Sequence, residues 1–291
     1  MKKLFVNLSL VAAAAIMFTA CAGNQPSREA TPEQPAETAA VSDVGATAAA
    51  ASAAEPTPTP EPEPVMLARV ECYPDEMASM EGGVVLPDTW TENYYTAEGL
   101  LAESLSGPLD GEADTRVKYS YDDQDFLVRA DHECLENGAW QTDYTDVYEN
   151  DAYGNVLTQT TQYADGSQWQ LSYTYEYDES GRWTRRDQVN TGFPMWSTRE
   201  YTGEGQACTE YLYYSGDKLR MVSTYDEAGN LLREQDIDNG EESGFREYTY
   251  DNQGELICVT ADYPTDNLPV MDMWKYTNTY APLSQVLADA E

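Results

Sequence analysis

The chain has 291 residues, with 52 acidic against 16 basic side chains, one histidine and a formal net charge of −36. A surface that acidic repels phosphate backbones and anionic lipid, which excludes nucleic acid as a partner and charge-driven adsorption to a bilayer. It suits a basic partner, divalent cations or simple solubility, and a single histidine leaves no material for a multi-histidine metal centre.

Residues 1–20 read as an export signal. Lys2 and Lys3 open it, Leu4 to Met17 form a short apolar stretch, and Thr19-Ala20 precede Cys21. This arrangement resembles the bacterial lipoprotein signal, and the resemblance implies that Cys21 is acylated after cleavage. The protein is then an extracytoplasmic lipoprotein held to the membrane by its N-terminal lipid. The apolar run is shorter than the roughly 20 residues a spanning helix needs.

Residues 21–64 carry the acylated Cys and read as a disordered tether rich in Ala, Thr, Glu and Pro, ending Glu61-Pro62-Glu63-Pro64. They hold too little apolar surface to offset their ordering entropy, and their prolines favour extended polyproline II. At ~3 Å per residue the Pro-rich part lifts a domain off the membrane. Residues 65–115 are expected to form an N-terminal segment covering a greasy sheet face. Residues 116–282 are expected to form a β-repeat domain, with 283–291 as a tail.

The repeat is a tyrosine followed by a glycine four residues later. It occurs at Tyr177…Gly181, Tyr201…Gly205, Tyr225…Gly229 and Tyr250…Gly254, with looser copies at Tyr121, Tyr148 and Tyr280. A fixed period means one small unit copied in tandem. In Tyr225-Asp-Glu-Ala-Gly-Asn-Leu231, the Asp opens a type I turn and the Gly supplies a left-handed residue, giving a three-residue hairpin with a bulge. Tyr225 then faces Leu231 across the strands. The same rule pairs Tyr121 with Leu127, Tyr177 with Trp183, Tyr201 with Ala207 and Tyr250 with Leu256. A second turn series lies between these, at Asn137-Gly138, Asp165-Gly166, Thr191-Gly192, Ser215-Gly216, Asn239-Gly240 and Pro264–Asn267. The expected fold is all-β: an antiparallel meander of tandem ~25-residue hairpin repeats, forming a strongly curved sheet or open barrel.

Alternation assigns the faces. The tyrosines and residues two before them make one face, interrupted by Asp146, Arg199, Ser223 and Asn278; the intervening Thr and Glu make a wet face. By parity Trp140, Trp169 and Trp274 belong with the tyrosines, and Trp196 and Phe245 with the wet face.

The pattern in Tyr248-Thr-Tyr-Asp-Asn-Gln-Gly-Glu-Leu256 and Tyr175-Glu-Tyr-Asp-Glu-Ser-Gly-Arg-Trp183 resembles the YD or RHS repeats of bacterial surface proteins and toxin shells. In large members of that family the repeats spiral into a hollow shell, for which this tract is too short. The resemblance implies a surface-exposed β scaffold whose work is binding or adhesion.

Signals for chemistry are sparse. His132 is expected on the surface of a strand, and its neighbours Asp131 and Glu133 point to the opposite face. The chain contains no GxSxG, HExxH or phosphate-cradling Gly loop. Asp122–Asp125 and Asp236–Glu242 are oxygen-rich turns that are either solvated or could hold a weak Ca²⁺; no other cofactor is expected. Cys72, Cys134, Cys208 and Cys258 allow two disulfides in three connectivities. Trp140, Trp169, Trp196 and Trp274 are candidate ligand-binding residues: they either fill an aromatic core or form a stacking platform for a sugar or peptide. The expected function is non-enzymatic binding of a glycan or protein partner. The alternatives are a cell-envelope enzyme acting on glycans through paired carboxylates and a purely structural spacer.

Overall fold

In this computed structural model the described residues are 63–74, 88–189, 194–203, 205–215, 217–262 and 271–288. The signal, Cys21, most of the tether and the turns expected at Thr191-Gly192 and Pro264–Asn267 lie outside them.

In the first series one aspartate builds each of five turns. The Oδ1 of Asp122, Asp151, Asp178, Asp226 and Asp251 accepts hydrogen bonds from the amides two and four residues on, at 2.8–3.0 Å. Three residues after each Asp the backbone is left-handed, at Gly154, Gly181, Gly229 and Gly254, with Asp125 in that role in the first turn. Glycine adopts this conformation without a Cβ clash. The expected cross-strand partners follow for Tyr121 with Leu127, Tyr177 with Trp183, Tyr225 with Leu231 and Tyr250 with Leu256. Tyr201 instead faces Cys208, one residue later than expected, because that turn has no Asp to tighten it. In the sixth-to-seventh strand turn the tyrosine place is filled by Asn150, which faces Val156.

These turns connect β1 (Val65–Pro74), β2 (Thr89–Tyr95), β3 (Leu101–Pro108), β4 (Thr115–Tyr121), β5 (Leu127–Glu136), β6 (Ala139–Asn150), β7 (Val156–Tyr163) and β8 (Gln168–Tyr177). The chain continues through β9 (Trp183–Val189), β10 (Met195–Tyr201), β11 (Cys208–Tyr214), β12 (Lys218–Tyr225), β13 (Leu231–Asp238), β14 (Glu241–Tyr250), β15 (Leu256–Asp262) and β16 (Met271–Pro282). Each strand pairs antiparallel with its sequence neighbours, and β1 pairs with β16 as well as β2, so the sheet is a closed barrel.

Closure corrects the expectation of an open sheet. The strand that closes it comes from residues 65–115, expected to cover a face; β1, β2 and β3 stand in the wall. The hairpin between β2 and β3 follows the same turn rule, with Tyr95 facing Leu101 and Gly99 at φ 86°. Thr96 replaces the Asp there, its Oγ1 accepting from the Leu100 amide at 3.3 Å. The tail is pinned rather than loose. A 3-10 turn at Leu283–Gln285 leads to buried Val286, and the Tyr95 amide and carbonyl bond Val286 and Ala288, each at 2.8 Å.

The inner face carries the tyrosines together with buried Asp146, Ser197, Glu210, Ser223 and Val259. Glu149, Glu176, Glu200 and Glu247 are exposed on the outer face. Sixteen strands make a ring wider than side chains alone can fill, and inner tyrosines such as Tyr173, Tyr175, Tyr225 and Tyr248 remain partly accessible.

Cys72, Cys134, Cys208 and Cys258 are free thiols, not disulfides. Cys72 and Cys258 sit on either side of β16, facing Tyr276 and Lys275. That places them two strand spacings apart, about 9–10 Å, beyond the span of a disulfide.

Candidate functional site

The barrel has two unlike ends. The Asp turns lie at one, where Val65 begins β1 beside Pro282 and the tether therefore arrives. There the ladders between successive hairpins stop short, and a side chain reaches each carbonyl left over. Tyr95 donates to Leu67, Tyr121 to Leu101, Asn150 to Leu127, Tyr175 to Val156, Tyr201 to Trp183, Tyr250 to Leu231 and Asn278 to Leu256, at 2.8–3.1 Å. Tyr225 is the exception that explains the rule. Its seam is paired to the last residue, Cys208 with Tyr225, so no carbonyl is left and its hydroxyl turns to Glu210.

The opposite, distal end presents the candidate site. Trp169 faces Thr161, whose hydroxyl bonds Asp146, so Trp169 stands on the inner face. It is nonetheless 51% exposed, because it stands at the rim beside the Asp165-Gly166 turn, and Tyr163 on the neighbouring strand is 45% exposed. Tyr163, Asp143, Ala164, Asp165 and Ser167 line a cavity of about 390 Å³. A row of rings runs across β7, β6 and β5: Tyr163 lies 6.0 Å from Tyr144, whose ring stacks on His132 at 4.1 Å and 15°.

His132 is a correction to the surface expectation. It is 9% exposed on the inner face, with its Nε2 3.4 Å from the Asp146 carboxylate. Asp131 and Glu133 do point outward, to Arg129 and Arg116. Burial raises the Asp146 pKa, but hydrogen bonds from His132, Thr161 and Gln159 outweigh it and hold the carboxyl below the ordinary value.

Arg199, one of the polar interruptions of the tyrosine pattern, belongs to an ionic lining. Arg186 and Arg199 meet Glu210 at 3.3 and 3.0 Å, and Arg246 meets Glu234 at 3.5 Å. Aromatic faces complete it: Arg199 lies over Trp183 at 4.1 Å and over Tyr225 at 4.7 Å. Buried charges need partners of this kind.

The four candidate tryptophans do not converge. Trp169 is at the rim, and Trp274 faces buried Val259 on the inner side. Trp140 is on the outer face, contrary to its sequence parity. Between Tyr144 and Thr142 the register against β5 skips Asp143, and this bulge turns the start of β6 over. Trp140 therefore meets Arg116, whose guanidinium lies 4.7 Å above its ring. The same bulged Asp143 lines the rim cavity. Trp196 is outside, as its parity implies, stacked on Tyr213 at 3.9 Å with Arg185 at 4.4 Å over it. Phe245 is likewise covered by Arg233 at 3.9 Å.

Sequence reasoning passed over Tyr163 and Asp143. Tyr163 had a signal, standing two residues before Asp165-Gly166; Asp143 had none, because a bulge is not written in the alternation. Among the carboxylates of the rim, Asp165 accepts from the Ser167 hydroxyl and, at 2.8 Å, from the Ser167 amide, and these bonds hold its pKa down. A general acid needs the opposite shift. The Asp122 turn spends its Oδ1 on backbone amides. Among the described residues no group of three or more His, Cys, Asp or Glu could hold a metal ion.

Fold and site together define a closed antiparallel β-barrel with an ionic and aromatic lining and one aromatic rim. No family model and no curated protein matches the chain. Solved structures show weak similarity. One is a porin-like protein from Bacteroides uniformis, at 10% identity over 73% of this chain and 96% of that one, with a TM-score of 0.35. Another is TcdB2-TccC3-Cdc42, at 17% identity over 63% of this chain and 11% of that one, with a TM-score of 0.25.

Proposed function

We propose that this protein is a lipid-anchored, surface-exposed binding module without catalytic chemistry, and that its distal rim takes a glycan. The observation that carries the reading is Trp169. A large aromatic ring on the inner face would normally be covered, yet this one is half exposed at the same rim as Tyr163, which lines a cavity with two carboxylates. Flat aromatic faces stack on sugar rings, and carboxylates accept from sugar hydroxyls. The rim lies opposite the end where the tether arrives, so it faces away from the membrane.

Three further observations support parts of this reading. The outer face carries charged pairs along the wall, Arg129 with Asp131, Arg185 with Asp187 and Arg233 with Glu247. Each such arginine at a lipid-facing midplane would cost about 2–4 kcal/mol, so the wall suits water. The recurring Asp turn and the tyrosine contact to the preceding hairpin favour tandem copies of one YD-like unit of about 25 residues. Asp165, whose pKa is held down by Ser167, is unsuited to the general-acid role of a paired-carboxylate hydrolase.

The test is a glycan-array screen of the wild type, Trp169→Ala, Tyr163→Ala and Trp140→Ala. Binding abolished by the first two, retained by the third and accompanied by an unchanged circular dichroism spectrum is the expected result. A wild type that binds no glycan overturns the glycan and turns attention to a protein ligand.

A further inference from the structure

Deeper in the lumen, the inner faces of β8 to β11 enclose a second cavity of about 70 Å³, the volume of a carboxylate group or a pair of waters. Cross-strand register places Tyr175, Arg186, Ser197 and Leu212 in one row, and Tyr173, Gln188, Met195 and Tyr214 in the row nearer the rim. Tyr173 stands four residues below Trp169 on the same face of the same strand. The cavity is therefore reached from the rim along β8.

Two independent features set this cavity apart. The first is charge. Arg186 and Arg199 share the single carboxylate of Glu210, so the cluster holds one more guanidinium than carboxylates, inside a protein of net charge −36. Arg199 is the tighter partner of Glu210 and the less exposed of the two, clamped between Trp183 and Tyr225. Arg186 makes the longer contact and lines the cavity. The second is a hydroxyl. Ser197 is 1% exposed, lines the same cavity, and its Oγ has no hydrogen-bond partner. Burying a hydroxyl without a partner is unfavourable, so such a group is a donor waiting for an acceptor.

We propose that this cavity is a subsite for the carboxylate of a uronic acid residue in the bound glycan. Arg186 supplies the guanidinium, Ser197 Oγ donates to a carboxylate oxygen, the Gln188 amide supplies further donors, and the Tyr173 ring flanks the sugar. One surplus positive charge matches a monoanion. The inference rests on the glycan reading of the rim and adds the class of sugar.

The experiment is calorimetric titration of the full protein with two probes. One is a hexasaccharide of alternating glucuronate and N-acetylglucosamine; the other is its carboxyl-reduced form. The expected result is roughly tenfold tighter binding of the acidic probe, the scale of one charge-assisted contact. Arg186→Gln and Ser197→Ala each remove that preference, whereas Trp169→Ala weakens both probes alike. Ser197→Ala leaves the unfolding midpoint where it was or raises it, since no bond is lost; a lowered midpoint would make the hydroxyl structural and overturn its role. Equal binding of the two probes, or a preference that survives both variants, overturns the subsite and leaves the rim standing. Binding of neither probe overturns the uronate subsite, and the glycan-array screen then decides the rim.

Discussion

The phenolic hydroxyl of Tyr250 lies 2.8 Å from the main-chain carbonyl of Leu231. Leu231 begins β13, and the β13–β14 ladder ends at Arg233 and Glu247, so that carbonyl has no partner in the sheet. The tyrosine of one hairpin thus completes the preceding one, which gives the repeated residue a task beyond packing. Removing the hydroxyl leaves a part-buried acceptor unpaired. Tyr250→Phe and Tyr201→Phe should each cost about 1–2 kcal/mol in urea unfolding. Being far apart, they should add in the double variant.

Acid should unfold the barrel through its paired aspartates. Asp146 is held below its ordinary pKa by bonds that outweigh burial, and Asp251 likewise by Tyr280, Asn278 and the Glu255 and Gln253 amides. A carboxyl whose folded pKa is lower than its unfolded one stabilises the fold above the unfolded pKa. That contribution is lost as pH falls through the folded value. Stability measured against pH should therefore drop below about pH 4, where an unfolded Asp titrates, and Asp146→Asn should flatten that drop.

The glycines of the two turn series are not equivalent. Gly154 and Gly166 both have positive φ, but a Cβ at Gly154 would lie 2.7 Å from Cε1 of Phe126, while one at Gly166 would meet nothing within 4 Å. Gly166→Ala should cost about 1 kcal/mol of backbone strain. Gly154→Ala adds a ring clash and should cost roughly 2 kcal/mol or more. Thermal unfolding of the pair compares them directly.

Two tryptophans separate core from platform. Trp183 is buried under Arg199 and Arg186, and Trp183→Ala should destabilise by about 3–5 kcal/mol. Trp169→Ala removes a half-exposed ring and should cost under about 1 kcal/mol. Equal losses in chemical denaturation would place Trp169 in the core and remove the basis of the rim.

The thiols should behave as unpaired and slow. Besides Cys21, the unfolded protein should titrate as four thiols without reductant. In the folded state burial pushes Cys72 up to about 11, so its labelling should accelerate steeply as pH rises toward that value.

Turn chemistry and strand alternation were legible in the sequence because both are local. An Asp bonding amides two and four residues away, and a Gly three residues on, depend on nothing outside the hairpin. Hence the partners of Tyr121, Tyr177, Tyr225 and Tyr250 follow from spacing alone, as does the outward place of Trp196. Tyr95…Gly99…Leu101 carries the same spacing and marks the hairpin between β2 and β3. Tertiary structure decided the rest. Closure depends on β1 pairing with β16, strands at opposite ends of the repeat tract, and no local rule encodes that contact. The bulge at Asp143 is one extra residue, yet with a side-chain period of two it is enough to move Trp140 outside and Asp143 to the rim. Asp146 and Arg199 read as lapses in an apolar face; across the strands they find His132 and Glu210, and become the lining of the lumen.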